Sequence, residues 1–189
     1  GSHSSCGTQA QAMRRSILLS YSRPIHAGQQ AFLDAVIDRL QRRGFEPRTL
    51  GVTDYDMDAP LKAIRRVLLE SNGILTLAFR RLHVERGTSR PGDADAQALV
   101  DCWLSSPYAQ IEPVMAFQLG LPVLIVREQG VLAEGVLERG VIGSGVPDFD
   151  LSQPPAVYLE SPEWLQGLQR WEGFVSRVVL RESGRHRDR

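Results

Sequence analysis

Short apolar runs alternate along the chain with segments in which apolar residues recur at helical spacing. The runs predict strands buried on both faces, at 16–21 (SILLSY), 73–79 (GILTLAF) and 122–126 (PVLIV). A weaker run predicts a further strand at 45–50. The helical spacing predicts helices over 29–43, before the stop signal Gly44, and over 60–71, opened by Pro60.

The second half of the chain has a less regular pattern. It predicts, in order, a polar loop, two helices, a long surface excursion, an edge strand and a closing helix, at 80–93, 94–104, 106–119, 127–150, 156–159 and 163–180. The buried strand at 122–126 falls directly after the second of these helices.

Strands that alternate with helices favour a parallel sheet covered by helices on both faces. We therefore predict one flavodoxin-like α/β domain of three layers over 16–180, with a central parallel sheet of about five strands. The small and polar residues 1–15, which begin with a Gly-Ser-His sequence typical of a tag remnant, predict a disordered N-terminus. The polar residues 181–189 predict a disordered tail.

The composition argues against several classes of function. The formal net charge is +0, so we expect neither nucleic acid nor a membrane surface as a partner. No apolar run approaches the roughly 20 residues that a membrane-spanning helix needs. The two cysteines, Cys6 and Cys102, are too few for a disulfide framework and indicate a reducing, cytoplasmic setting. The histidines show no metal-ligand spacing, so no metal site is predicted.

Candidate chemistry collects at one edge of the predicted sheet, because ligands of parallel α/β sheets bind beyond the carboxyl ends of the strands. Four stretches of the chain would converge there: those after the first three predicted strands and the start of the helix at 106–119. The candidate substrate-binding residues in these stretches are Tyr21, Ser22, Arg23, Asp54, Phe79, Arg80, Ser106 and Tyr108.

Glu112 is the charged residue of the otherwise largely apolar stretch SPYAQIEPVMAFQLG. If the helix begins at Ser106, this serine is the N-cap and Pro107 the first helical residue. If Pro113 prevents that, the regular helix begins near Gln110. In both cases Glu112 lies near the positive end of the helix dipole, which favours the ionised carboxylate.

On a helical wheel Ile111, Met115 and Leu119 mark the buried face, with Tyr108 inside it and Glu112 at its edge. One interpretation of Glu112 is a solvated group that decorates a helix start. The other is catalytic: cleavage of an N-glycosidic bond builds positive charge on the sugar, and a fixed carboxylate stabilises it. When the leaving base is already cationic, as nicotinamide is in NAD, no strong general acid is needed, and one carboxylate suffices.

Two motifs carry a resemblance to a known family. The sequence SILLSYS at 16–22 resembles the box that opens Toll/interleukin-1 receptor (TIR) domains, and SPYAQIE at 106–112 resembles their pattern of Ser, any residue, Trp-Cys, two residues and Glu. The order of elements over 16–180 is also similar, with 51–60 in place of the BB loop. The resemblance implies a TIR-type fold and a bacterial NAD+ glycohydrolase or cyclase with Glu112 as catalytic residue. It also implies a role in antiviral defence signalling and activity that depends on self-association.

The chain departs from the TIR pattern at several points, and the departures leave alternatives open. Tyr108 and Ala109 replace Trp-Cys, the loop 51–60 lacks the usual Pro-Gly, and 81–104 is an insertion. A non-catalytic TIR-like adaptor or receptor for a nucleotide signal is one alternative. The other is an enzyme similar to nucleoside 2-deoxyribosyltransferases, which share the broad fold and place a nucleophilic Glu at a helix start shortly before a strand like GLPV at 120–123.

Neither a Gly-x-Gly-x-x-Gly motif after a strand nor a phosphate-binding P-loop occurs in the sequence. We therefore expect NAD or a related nucleotide as a substrate bound in a cleft, and predict no cofactor.

Overall fold

The computed structural model describes residues 14–50, 59–142 and 145–189. The helices and strands are, in chain order, β1 (Arg15–Tyr21), α1 (Ala27–Arg42), β2 (Phe45–Arg48), α2 (Pro60–Leu69), β3 (Ile74–Ala78), β4 (Leu82–Ser89), β5 (Gln97–Leu104), α3 (Tyr108–Gln118), β6 (Val123–Arg127), α4 (Pro155–Leu159) and α5 (Pro162–Arg187). A single 3₁₀ turn, Gly135–Leu137, lies between β6 and α4.

Four strands form the central sheet in the order β2-β1-β3-β6, and all neighbouring pairs are parallel. This order is the flavodoxin-like one. Because successive side chains of a strand point to opposite faces, each buried strand contributes to two cores. The face covered by α1, α4 and α5 packs through the larger core, and the opposite face packs against α2 and α3. The predicted three-layer α/β fold is confirmed.

The sheet has four strands rather than about five, because the segment predicted as an edge strand at 156–159 is the short helix α4. Pro155 stands in its first turn, where a proline suits a helix. The hydroxyl of Tyr158 donates to the carbonyl oxygen of Pro147 at 2.6 Å, and Leu159 is buried in the larger core. These contacts hold the segment against α1 instead of along the sheet.

The polar loop predicted at 80–93 and the helix predicted at 94–104 are wrong, because this stretch forms an antiparallel hairpin of β4 and β5. Leu99, Cys102 and Trp103 fit a helical pattern in sequence. In the structure Cys102 pairs with Val84 and Trp103 with His83, so the cross-strand partners decide the conformation. The hairpin projects from the domain, and most of its residues are exposed.

The closing helix α5 continues to Arg187 and therefore covers most of the predicted disordered tail, 181–189. Its first two-thirds pack on the sheet through Trp164, Leu168, Trp171 and Val175. In the last third, the side-chain amide of Asn72 donates to Glu182 at 3.0 Å, which ties the extension to the end of α2. Among the described residues, none of the helices combines the length and the apolar character needed to cross a membrane. The predicted disordered segment 1–15 lies outside the described residues up to residue 13, and Arg15 already belongs to β1.

Candidate active site

Glu112 lies on the face of α3 that packs against the sheet, and only 6% of its surface is exposed. The other buried residues of this helix are Ala109, Pro113 and Ala116. The wheel-based prediction of the buried face was wrong, since Ile111 and Leu119 are each more than a third exposed. The residues of α3 are apolar nearly all round, so a helical wheel shows no preferred buried face, and the small alanines decide which face approaches the sheet.

The helix begins at Tyr108 with Pro107 as the N-cap, one residue after the first of the two predicted starts. The Ser106 hydroxyl accepts a hydrogen bond from the Tyr108 backbone N–H at 3.2 Å, and Pro107 has helical dihedral angles, φ −54° and ψ −32°. Pro113 lies inside the helix without ending it. Glu112 is therefore in the second turn, one residue before the proline.

Burial raises the pKa of Glu112 above the ordinary value of a glutamate, and a hydrogen bond with the Ser20 side chain lowers it in part. The helix dipole was expected to favour the ionised carboxylate, but loss of solvation is the largest influence on the pKa of Glu112 and shifts it toward the neutral carboxyl relative to an ordinary glutamate. Such a group can give its proton to a leaving base. It can also ionise when a positive charge arrives beside it.

Two hydroxyl-bearing strand residues lie on the same face of the sheet as Glu112. Ser20 of β1 is registered with Thr76 of β3, and Thr76 with Ile125 of β6. Ser20 is 3% exposed and Thr76 is fully buried. Neither was among the predicted site residues, although a serine and a threonine inside the apolar runs SILLSY and GILTLAF were a usable signal.

Phe79 does not form a wall of the cleft, which corrects its predicted role. It is fully buried in the larger core, where its ring meets the edge or face of Phe32 and Phe149 at centroid distances of 6.5 and 5.8 Å. Tyr21 also packs against this core. The cause is strand alternation: Ser20 faces α3, so its neighbour Tyr21 faces the other side.

Arg80 is engaged in contacts within the domain. Its Nε donates to the carbonyl oxygen of Gln129 at 2.5 Å and lies 3.5 Å from a carboxylate oxygen of Glu128, while the guanidinium stands 5.5 Å from the ring centroid of Trp103. These contacts fasten the base of the hairpin to the end of β6. A direct role of Arg80 in binding a substrate stays a prediction.

A buried polar network at the carboxyl edge of the sheet was missed in the sequence. Gln29 is fully buried, and its side-chain amide donates to Glu128 at 2.8 Å and to the carbonyl oxygen of Arg80 at 2.9 Å. Glu128, which is 4% exposed, also accepts from the Arg80 backbone N–H at 3.1 Å. The position of Glu128 directly after an apolar strand was the signal for it. Because its polar groups are satisfied, the network fixes the loops after β1, β3 and β6 relative to one another.

The remaining predicted site residues occupy the following places. Ser22 and Arg23 follow β1, half-buried and exposed respectively. Ser106 lies just before α3 and accepts a hydrogen bond from its first residue, Tyr108, which is 36% exposed on the outer side of the helix. Asp54 lies outside the described residues. Within the described ranges, no three His, Cys, Asp or Glu side chains come together as metal ligands.

Comparison with known proteins finds likeness among solved structures. No protein-family model matches the chain. No curated protein matches it either. Among solved structures, it is similar to the CMP N-glycosidase BcmB of Clostridium botulinum, with a TM-score of 0.46 and 15% identity over 83% of this chain and 99% of that chain. No residue role follows from a likeness of this strength, and the comparisons give no support to the TIR resemblance.

Proposed function

We propose that the protein cleaves the N-glycosidic bond of a nucleotide, with Glu112 as the catalytic carboxyl group. The observation that carries the proposal is the burial of this carboxyl on the inner face of α3, beside Ser20 of the central strand β1. A glutamate is rarely buried without a charged partner, and perturbed carboxyls of this kind are typical of catalytic sites. The alternative of a solvated glutamate at a helix start does not account for its 6% exposure.

In the reaction, the bond between C1′ of the ribose and the base nitrogen breaks, and its electron pair leaves with the base. The sugar becomes an oxocarbenium-like cation, which the carboxylate of Glu112 stabilises. Water then adds to C1′ and releases one proton to the carboxylate or to solvent. In a desolvated site this charge stabilisation is stronger than in water.

NAD is the substrate that we put first, on the strength of the resemblance of SILLSYS and SPYAQIE to TIR domains. Its pyridinium nitrogen is already positive, so nicotinamide departs as a neutral molecule and no acid is required. The positive charge of the substrate also favours ionisation of Glu112 despite its burial. If a nitrogen of the adenine replaces water, the product is cyclic. A setting in cytoplasmic antiviral defence signalling and a dependence on self-association are parts of the same proposal.

The raised pKa of Glu112 favours a second candidate reaction, in which the neutral carboxyl protonates a neutral leaving base. A nucleoside or nucleotide hydrolase, or a deoxyribosyltransferase that exchanges bases, needs such a proton donor. The two candidates differ in the protonation state that Glu112 must have when substrate binds.

The test is turnover by the full chain and by two variants. NAD and a panel of purine and pyrimidine nucleotides and deoxynucleosides are incubated with the parent, with Glu112→Gln and with Glu163→Gln, and the free base is measured by chromatography. We expect the parent to release base, Glu112→Gln to be slower by about 100-fold or more, and Glu163→Gln, which alters an exposed glutamate, to match the parent. Equal rates in Glu112→Gln and parent contradict the proposal. Nucleotide binding without turnover would instead favour the non-catalytic module.

A further inference from the structure

The small residues of α3 fix where Glu112 lies over the sheet. Ala116 packs in one core cluster with Leu18 and Ile74, and Ala109 packs in another with Ala78. The helix therefore crosses the strands with its later residues over the middle of β1 and the start of β3, and its earlier residues over the end of β3. Glu112 stands one turn from each alanine, above the intervening row of Ser20 and Thr76.

This row is polar in the middle of an apolar sheet. Both neighbouring rows on this face are apolar, with Leu18 and Ile74 on one side and Ala78 on the other. A hydroxyl in such a place costs stability unless it has a hydrogen-bond partner. Two such hydroxyls side by side beneath a buried carboxyl therefore point to a functional role.

Thr76 shows this most clearly. Its hydroxyl is fully buried and, within the part of the chain that the structure describes, has no hydrogen-bond partner. The buried serine at the end of α2 differs, since the Ser71 hydroxyl donates to the Val67 carbonyl oxygen at 2.6 Å. Thr76 is therefore an unused donor next to the site.

We propose that Ser20 and Thr76 are positioning residues of Glu112: their two hydroxyls form a seat that donates hydrogen bonds to the carboxylate and orients it when it ionises. The inference rests on the proposed function, since the ionised carboxylate is the form that stabilises a sugar cation. An ionised carboxylate has about four lone-pair sites and only accepts hydrogen bonds. Buried without donors it would be strongly disfavoured, so each hydroxyl that reaches it favours the charged form.

The charged groups on the elements around α3 are the other candidates for this task. The elements packed against α3 are β1, β3, β6, α2 and the turn Gly135–Leu137. Strand β6 presents Arg127 to this face in the row of Ala78, one row beyond Ser20 and Thr76. Its Nε is paired with Asp148 at 3.1 Å, and its Nη1 is buried with no hydrogen-bond partner among the described residues. The charged residues of α2 and Glu134 and Glu138 beside the turn are exposed.

The test follows the titration of Glu112 itself, so that it does not depend on turnover. The protein is labelled with ¹³C at the glutamate side-chain carboxyl, and the Glu112 signal is assigned by its loss in Glu112→Gln. Its pH titration is recorded in the parent, in Ser20→Ala, in Thr76→Val and in Ser71→Ala as the matched loss of a buried hydroxyl. We expect the midpoint to move to higher pH in Ser20→Ala and in Thr76→Val, and to stay in place in Ser71→Ala.

Activity gives the second readout. On the acid limb of the pH profile, kcat/KM should fall about fivefold in Ser20→Ala and in Thr76→Val, the equivalent of one hydrogen bond each. The conservative variants Ser20→Thr and Thr76→Ser keep a hydroxyl and should restore it.

An unmoved titration in Ser20→Ala and Thr76→Val, or an equal movement in Ser71→Ala, overturns the inference. A movement in one variant alone overturns the role of the other residue. If the titration moves as expected but no nucleotide is cleaved, the seat stands and the proposed function fails, so the two are told apart.

Discussion

At the scale of single residues, the molecule keeps a carboxyl where it weakens the fold. Burial of Glu112 favours its neutral form, so at neutral pH the folded state either retains a proton that water would remove or bears an under-solvated charge. Functional sites commonly carry such costs. Because the pKa of Glu112 is raised, this loss of stability appears as the pH increases.

We expect Glu112→Gln to be more stable than the parent at neutral pH, because the amide has the same shape and no charge to desolvate. Below the ordinary pKa of a glutamate, about 4.3, both folded and unfolded chains are protonated, and the difference vanishes. As the pH rises through the higher pKa of the folded state, the parent loses the stabilising contribution of the neutral Glu112 carboxyl, and the difference in stability between Glu112→Gln and the parent grows. Thermal unfolding of both proteins across this pH range measures the difference, and each kcal/mol of stability should appear as about 2–4 °C in Tm. A gain in Tm that is the same at pH 4 and pH 8 would contradict this account.

The pH profile of activity separates the two candidate reactions. If Glu112 acts as a carboxylate on NAD, kcat/KM falls as the pH is lowered, and it does so at a higher pH than for an ordinary glutamate because burial raises the pKa. If Glu112 acts as an acid on a neutral base, the same group gives a limb that falls as the pH is raised. The measurement is kcat/KM against pH for the best substrate. If every limb of the parent's pH profile is still present in Glu112→Gln, both candidate reactions are contradicted.

The sequence identified Glu112 as a candidate residue but did not show that its side chain faces the sheet. Its place in an apolar helix before a buried strand was visible, and so was the start of the helix near Ser106. Its burial was not visible in the sequence. Ala109 and Ala116 determine which face of α3 packs inward, and their small size matters only against the sheet. Phe79 was misjudged for a related reason: the side of the sheet to which a strand residue points depends on its register with neighbouring strands.

At the scale of elements, α5 is joined to the opposite end of the chain through Glu172. Its carboxylate accepts from Arg15 of β1 at 2.6 Å and from Arg43 after α1 at 3.1 and 2.6 Å. Burial alone would raise the pKa of Glu172, but the hydrogen bonds and positive charges of the two arginines outweigh it and lower the pKa. The closing helix is thus tied to the sheet by charge as well as by its apolar face.

We expect Glu172→Ala to lower the free energy of unfolding by about 1–3 kcal/mol at neutral pH, because it leaves two partly buried guanidinium groups without their partner. The contribution of Glu172 is present above the ordinary pKa of a glutamate and is lost as the pH falls through the lower pKa of the folded state. Urea unfolding at neutral and acid pH measures it. Glu46→Ala is the control, since Glu46 and Arg14 are 3.8 Å apart and both more than half exposed. Equal losses of unfolding free energy in the two variants would show that the ion pairs of Glu172 stabilise the fold no more than the exposed pair of Glu46 and Arg14.

The hairpin shows which elements local pattern fails to predict. The residues 94–104 satisfy a helical spacing, and their strand conformation depends on pairing with β4, whose partner residues lie from 8 positions (Ser89 with Gln97) to 22 positions (Leu82 with Leu104) earlier. Among the described residues, backbone hydrogen bonds join the base of the hairpin to the domain: the Trp103 backbone N–H donates to the Gly130 carbonyl oxygen at 3.1 Å, and the Trp103 carbonyl oxygen accepts from the Leu132 backbone N–H at 2.8 Å. A local pattern carries no information on such contacts.

At the scale of the whole molecule, the alternation of apolar strands and helices was enough to predict a parallel three-layer domain, because it depends on burial and not on detail. The number of strands was not predictable from it. The segment at 156–159 has an apolar pattern that suits a strand, and only the contacts of Tyr158 and Leu159 with the body of the domain make it helical. The resemblance of short motifs implied the same broad fold, but the comparisons give no support to the TIR family itself.

One side of α3 is exposed in the part of the chain that the structure describes. Tyr108, Ile111, Val114 and Phe117 follow one another at intervals of three along α3 and are 36–56% exposed. A groove of about 470 Å³ beside Phe117 continues this surface; Phe174 also lines it, and Arg170 is the charged residue in its wall. A helix that is apolar all round is normally buried on every side. The exposed residues of α3 carry no charge, so a two-fold axis can bring the surface against its own copy without repulsion.

We therefore expect the protein to form a homodimer through this surface, and Phe117→Glu to prevent it, because the variant would set two carboxylates against each other in an apolar contact. Sedimentation velocity over a range of concentrations measures the association. Leu180→Glu is the matched control, since Leu180 is 62% exposed on α5 and lies outside this surface. If turnover depends on the dimer, the specific activity of the parent rises with concentration while that of Phe117→Glu stays low and constant. A parent that sediments as a monomer throughout, or a Leu180→Glu variant that loses association as Phe117→Glu does, would show that α3 is not the dimer surface.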